Sequence, residues 1–543
     1  MKKLSFLVAF LCCLQGFAQE DAWVFFKDKP SASTYIASPL TMLSQRALDR
    51  RLRQNIDLDT KDAPLEASYY NQIKNTAGIL VLAKSKWLNA VHVQGTQNNI
   101  KRLQTSFSFV KNIEFADKSL ASNSKILSKT TSIQKRQKSL ETISDFNYGS
   151  SKNQIEMLKG DFLHELGFTG KGMYIAVIDA GFPNVNSLAA FKRLRDHNQI
   201  LGGYDFVARS TNFYSGDSHG TNVLSTIGGY IDGQYVGTAP DASFYLFRTE
   251  DAINEVPLEE SLWVEAAEKA DSLGVDVINS SLGYSSFFDE PRYNYSYSDM
   301  DGKTAFISRG ASVGVSRGMI IVNSAGNEGN NASWKYINPP ADVATVFAVG
   351  AVDASKNIAP FSSFGPTSDN RIKPDVLAQG QGAYLISHGS GTPVQSNGTS
   401  FSSPIMAGVV ACFWQAFPNL SNLQIMQRIR ESADKYNNPT MQSGYGIPNF
   451  EDAYGTVLSV EDQFIFNRIT VFPNPMSTSL TIQAPTEDLE NIQIQFFNIL
   501  GKIVLEKSGV NTKNIDVSAL SPGVYLLKIT KGKEQQTIKL IKK

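Results

Sequence analysis

Four polar residues of this chain stand where apolar runs end or where glycines bracket a turn. Asp179 closes MYIAVID, His219 sits in DSHGT, Asn327 closes VNSAGN and Ser400 follows NGT. A hydroxyl is a weak nucleophile until a neighbouring imidazole takes its proton, and that imidazole needs a carboxylate to fix its tautomer and stabilise its cation. Asp179, His219 and Ser400 could supply these three groups. The oxyanion formed by attack on a carbonyl needs donors already aimed at it, which an Asn side chain and a backbone N–H at a helix start provide. Asn327 and Ser400 fit that role. Singly, each residue is ordinary: an Asp after a strand is most often a turn former or cap, and a glycine-flanked Ser an N-cap. Only the conjunction points to chemistry. With five His in all, at 92, 164, 197, 219 and 388, the chain is poor in other bases.

The elements that must position these residues are legible between about Asn153 and Thr456. MYIAVIDA from Met173, ASFYLFR from Ala242, VDVINSSLG from Val275, MIIVNSAGN from Met319 and TVFAVGAVD from Thr345 are apolar runs bounded by Gly, Asp or Asn. They predict strands covered on both faces. Between them, Leu258, Leu262, Val264, Ala266 and Ala267 follow an amphipathic helical path from Val256. The alternation predicts a parallel sheet with helices on both sides, and in such sheets ligands gather at the carboxyl ends of the strands.

The motifs VIDAGF, HGTNVLSTIGG, INSSLG, SAGNEG and NGTSFSSPIMAG, in that order from about Gly160 to Tyr454, resemble those of the subtilisin-like serine proteases, the subtilases. The resemblance implies an α/β, three-layer fold with a mainly parallel sheet and a secreted endopeptidase acting on protein or peptide substrates. It implies Ser400 as nucleophile, His219 as general base and acid, Asp179 as orienting carboxylate, and Asn327 with Ser400 as the oxyanion hole. Ser281, Leu282 and Gly283 would pair with extended substrate backbone, a mode indifferent to side chains. Ala325 and Gly326 would complete the substrate-binding wall. The chain departs from the family's habit at two places: Ala180 replaces a Thr or Ser after the aspartate, and Phe401 replaces the Met after the nucleophile. No organic cofactor is implied. Structural calcium is common in the family, but Asp289, Glu290, Asp299 and Asp301 read as a solvated surface, and no metal ligand is assigned.

Two other functions can be built from the same residues. Gly216-Asp217-Ser218-His219-Gly220 matches the G-x-S-x-G of esterases. That motif needs a strand running into the serine and a later acid and His, whereas TNFYSGDSHG is polar and the only later His is His388. A catalytically silent binding protein on the same fold is the second alternative. Such proteins usually lose a triad member, and all three are present here.

Composition and the two ends complete the reading. Across 543 residues, 51 Lys plus Arg balance 51 Asp plus Glu, so nucleic acid is not an expected partner. In MKKLSFLVAFLCCLQGFAQE, Lys2 and Lys3 precede an apolar run from Leu4 to Leu14, and Gly16 and Ala18 suit cleavage after Ala18, predicting a secretory signal over 1–18. The run is shorter than the roughly 20 residues that span a bilayer, as is every later one, so no transmembrane segment is expected in the mature chain. Cys12 and Cys13 leave with the signal, and Cys412 in GVVACFWQAF reads as a buried small hydrophobe.

Residues 19–145 include LVLAKSKWLNAVHV and FVKNIEFADK around a helix-compatible stretch and resemble a small α+β propeptide, which would act as an intramolecular inhibitor. The segment Ala121 to Ser151 reads as an exposed, cleavable linker ahead of a protease domain at 153–456. A retained accessory domain is the alternative. From about residue 467 to 543, short alternating runs punctuated by Pro473, Pro475, Gly501, Gly509 and Gly523 predict a small all-β sandwich. With VFPNP, FNILGK and SPGVYLLKI it is similar to the sorting domains of type IX secretion cargo. That implies a Bacteroidetes-type bacterium, passage through the periplasm and outer membrane, and the secretion machinery as partner. A carbohydrate- or substrate-binding sandwich is the competing reading.

Overall fold

The structure, a computed structural model, describes residues 19–120, 146–457, 470–483, 493–498, 502–508, 514–531 and 534–543. The expected signal at 1–18 and the central part of the linker, 121–145, lie outside the described residues. The chain divides into two units, residues 1–451 and 452–543.

Seven parallel strands form the main sheet of the larger unit. Their order is Val376–Gln379, Phe347–Val352, Ile320–Ser324, Val277–Ser280, Tyr174–Asp179, Ser243–Arg248 and Ile200–Asp205. Val277–Ser280 and Ile320–Ser324 are buried at every residue, which is why they read as continuous apolar runs rather than alternating ones. Asn279 Oδ1 accepts a hydrogen bond from Ser403 Oγ on the helix Thr399–Ala416 at 3.0 Å. The next residue, Ser280, accepts through Oγ from Trp263 Nε1 on the helix Pro257–Leu273 at 2.9 Å. Successive strand residues point to opposite faces, so these two helices cover opposite sides of the sheet. The helix His219–Gly228 packs beside Thr399–Ala416, and Phe306–Ser316 beside Pro257–Leu273, giving the three layers expected from the sequence. Cys412 lies buried on Thr399–Ala416 with its thiol against Thr238 O.

The N-terminal segment is a four-stranded antiparallel sheet in the order Ile79–Ser85, Ala90–Thr96, Gln19–Phe26, Val110–Phe115. The single run read at Leu80–Val93 is a hairpin, turned at Asn89 with φ 52°. On one face Ala22, Val24, Val91 and Val93 pack with Ile73, Ile100 and Leu103 from the helices Ala67–Lys74 and Gln97–Ser106. The other face meets the helices Pro257–Leu273 and Phe306–Ser316 of the main sheet. Trp23 stacks on Phe306 at 4.9 Å, and Ser261 Oγ receives Trp23 Nε1 and contacts His92 Nδ1, both at 2.8 Å. Glu268 accepts from Ser85 Oγ and from the Trp87 and Lys86 backbone amides. Further along, Arg50 and Arg51, both buried, converge on buried Asp271, and Arg51 also reaches Asp62, which pairs with Arg317.

One expectation changes. The linker was expected to stay exposed to Ser151, but Tyr148 and Ser151 are buried, and Ser151 Oγ donates to Val236 O at 2.7 Å. A short polar residue makes a good buried anchor when backbone groups satisfy it. In the acidic stretch 289–301, Asp289 and Glu290 are exposed, Glu290 pairs with Arg292 at 2.6 Å, Asp299 with Lys118 at 3.0 Å, and Asp301 Oδ1 accepts from the Lys303 and Thr304 amides. Among the described residues, no group of three or more His, Cys, Asp or Glu is placed to hold a metal ion, and no step below involves one. No described helix is long and apolar enough to cross a membrane.

The smaller unit holds two antiparallel sheets, one of Thr470–Phe472, Ser479–Gln483 and Asn514–Asp516, the other of Ile503–Ser508, Gln493–Phe497, Gly523–Lys531 and Glu534–Lys542. Leu480, Ile482, Ile494, Phe496, Leu527 and Ile529 meet in its core. Val524 and Leu526, on the alternate positions, are exposed, as the period of two requires.

Candidate active site

Asp179 is the last residue of the strand Tyr174–Asp179 and is fully buried, whereas His219 opens the helix His219–Gly228 and leaves about a third of its side chain exposed (32%). Asp217 Oδ1 accepts from the His219 amide at 2.8 Å and caps that helix start. What lets the helix come so close to the strand is Gly220: a Cβ there would lie 2.4 Å from Gly181 O and 2.9 Å from Asp179 Cβ. As a result, His219 Nδ1 and Asp179 Oδ1 are 2.7 Å apart. Asp179 Oδ1 also accepts from the Ala180 amide at 2.8 Å, while Oδ2 is buried with no hydrogen-bond partner among the described residues. A methyl at position 180, in place of a hydroxyl, leaves that oxygen without a local donor.

Ser400 is the second residue of Thr399–Ala416 and follows Gly398, whose φ of 149° is open only to glycine. Pro404, one turn on, has no N–H to give the Ser400 carbonyl. Ser281 Oγ donates to that carbonyl instead, at 2.9 Å, and so ties the serine to the strand-end segment Ser281–Gly283. The Asn327 side chain is oriented from the same helix: its Oδ1 accepts from Thr399 N at 2.8 Å and Thr399 Oγ1 at 3.0 Å. Its amide nitrogen is thereby turned away from Thr399, with no acceptor among the described residues.

His219, Ser281, Leu282, Gly283, Gly326, Asn327 and Ser400 line one cavity of about 440 Å³. No hydrogen bond joins His219 to Ser400 in this structure; such contacts are often long until substrate binds. The Phe401 ring lies 6.0 Å from the His219 ring, centroid to centroid. Asp179 stands behind His219 and does not line the cavity. Ala325 is a correction: its side chain turns into an apolar cluster with Ile337, Ala341 and Ala348 and is fully buried, so Ser324 and Gly326 form that wall.

Burial alone would depress the His219 imidazolium, but the Asp179 carboxylate, by charge and by hydrogen bond, and then Asp217 and Glu250, outweigh it and raise the group above its ordinary 6.5. Glu250, two residues past the strand Ser243–Arg248, also lines the cavity and was not singled out in the sequence. The signal was present, since it too follows a strand's carboxyl end. Ser218 fails as an esterase nucleophile on geometry: it precedes a helix after a bend rather than a strand, and no hydrogen bond links it to His388.

The signature of the subtilase family matches residues 170–447, that of the peptidase S8 propeptide domain of Bacteroidota matches 21–138, and that of a secretion system C-terminal sorting domain matches 470–543. The chain is 33% identical over 301 residues to subtilisin NAT of Bacillus subtilis subsp. natto, covering 55% of this chain and 70% of the relative. It is 31% identical over 300 residues to subtilisin DY of Bacillus licheniformis, covering 55% and 97%. A solved structure of MycP1 with its N-terminal propeptide removed aligns with TM-score 0.44 at 24% identity, over 55% of this chain and 96% of that one. The sorting domain marks the protein for secretion or the cell surface. The subtilase signature and the subtilisin relatives establish that the chain belongs to the subtilase family and is a subtilisin-like serine endopeptidase.

Proposed function

We propose that Ser400 is the nucleophile of peptide-bond hydrolysis, with His219 as its base, Asp179 as the orienting carboxylate and Asn327 as an oxyanion donor. The observation that carries this reading is the 2.7 Å contact between Asp179 and His219 Nδ1 beside the cavity that Ser400 lines. Asp179 holds the proton on Nδ1, so Nε2 accepts the Ser400 Oγ proton as Oγ bonds to the scissile carbonyl carbon. Negative charge moves to the carbonyl oxygen, where the Asn327 amide and the Ser400 backbone N–H receive it. Collapse breaks the C–N bond, His219 gives its proton to the leaving amine, and water attacks the acyl-enzyme by the same route. Extended substrate backbone pairs with Ser281–Gly283.

A fluorophosphonate probe should label the purified protein at Ser400, as mapped by peptide sequencing; labelling at Ser218 would overturn the assignment. Asn327→Ala should lower kcat by about 10²–10³-fold with little change in KM, because the amide meets its acceptor only as charge develops. His219 works as a base only when neutral, and its imidazole is held above 6.5. The acid limb of kcat/KM against pH should therefore have its midpoint above pH 6.5, activity rising as pH rises through it; a midpoint below 6 would contradict this.

The N-terminal segment serves as an intramolecular inhibitor removed by cleavage ahead of the buried Tyr148, and the C-terminal unit directs the chain through the type IX machinery across the outer membrane. Support comes from the matches at 21–138 and 470–543. Deleting residues after 467 should strand the protein in the periplasm; unchanged secretion would exclude the sorting role and favour a binding module.

A further inference from the structure

The cavity that holds Ser400 is one-sided in charge. Seven carboxylates line it, Asp217, Glu250, Asp251, Glu255, Glu259, Asp289 and Glu328, and no Lys or Arg does among the described residues. Carboxylates just outside it have cations of their own, Glu290 with Arg292 at 2.6 Å and Asp205 with Arg248 at 3.0 Å. Glu250 differs from them. It is 7% exposed, and its two oxygens accept only from hydroxyls, Thr249 Oγ1 and Tyr284 OH, each at 2.7 Å. A carboxyl more than nine-tenths buried with no cation bonded to it is pushed toward its neutral form, and a cation arriving with a ligand draws it back to the charged one. Burial lifts the Glu250 carboxyl above its ordinary range even though both hydroxyls pull the other way. The cleft of an endopeptidase must admit a peptide, so the cation can come on a substrate side chain.

We propose that this cleft selects peptides carrying Lys or Arg on the stretch laid along Ser281–Gly283, with Glu250 as the specificity-determining carboxylate and Asp251 reinforcing it from the rim. The inference rests on the reading of Ser400 as nucleophile and adds the substrate class. The chain itself contains a sequence of this chemistry. Between Leu120 and Phe146 stand Lys125, Lys129, Lys135, Arg136 and Lys138 against only Glu141 and Asp145. Just ahead of it, Lys118 lies 3.5 Å above the Tyr295 ring and pairs with Asp299, ten residues along the chain from the cleft residue Asp289. Charge focused in a cleft with low-dielectric walls acts on both encounter and binding.

The test uses the purified secreted protein and two synthetic peptides: residues 130–143, and the same peptide with Lys135, Arg136 and Lys138 each replaced by Gln. The basic peptide should be cleaved with at least about tenfold higher kcat/KM, the difference lying mainly in KM and shrinking at high salt. Glu250→Gln, which keeps the side chain's shape and an acceptor oxygen for one of the two hydroxyls, should reduce that ratio several-fold. Asp251→Asn, at a more exposed position, should do so to a smaller degree and serves if Glu250→Gln does not fold. A ratio near one in the wild type, or a ratio that neither variant lowers, overturns the proposal while Ser400 labelling still stands. A protein that neither labels at Ser400 nor cleaves either peptide overturns the catalytic reading, and this one with it.

Discussion

Ser400→Ala is expected to lower kcat for peptide hydrolysis by about 10⁶-fold, the scale on which a serine-protease triad loses its nucleophile. Folding should be nearly unaffected, because Ser400 is half-buried and its Oγ makes no hydrogen bond, while the carbonyl tied to Ser281 is retained. Fluorophosphonate labelling should vanish, and the secreted variant should keep residues 19–145. The docked N-terminal segment explains why an uncut chain would persist. Arg50 and Arg51 meet Asp271 in full burial, and removing one member of such a network costs about 3–5 kcal/mol. Mass spectrometry of wild type and variant decides the point: identical sizes would mean that the segment is not removed by this enzyme itself.

Asp179→Asn should leave the fold in place and cost about 10⁴-fold in kcat. An amide at 179 can donate to His219 Nδ1, which puts the imidazole proton on Nε2, the atom that must accept from Ser400. The variant also loses the charge that holds the imidazolium above its ordinary value, so the acid limb of the remaining activity should move to lower pH. Activity within tenfold of wild type, with an unmoved acid limb, would remove Asp179 from the mechanism. Here the site differs from its relatives' habit. Ala180 offers Asp179 Oδ2 no hydroxyl, so the hold on His219 runs through Oδ1 alone.

The sequence by itself determined the element types and the candidate reacting groups. Apolar runs covered on both faces are continuous, so the strands ending at Asp179 and before Asn327 were readable without coordinates, as were the glycines beside His219 and Ser400. The N-terminal hairpin was only half legible, because Leu80–Val93 keeps its apolar character through the turn at Asn89. Only the tertiary structure decided which polar groups meet. That Pro404 frees the Ser400 carbonyl for Ser281, that Thr399 turns the Asn327 amide, and that Ala325 faces a core cluster rather than the cleft depend on contacts between segments dozens to more than a hundred residues apart. That no cation is bonded to the buried Glu250 carboxyl is of the same kind. A sequence shows that a carboxylate exists, but whether a cation stands beside it is set by burial and distance, and both arise only when the sheet and its helices close around the site.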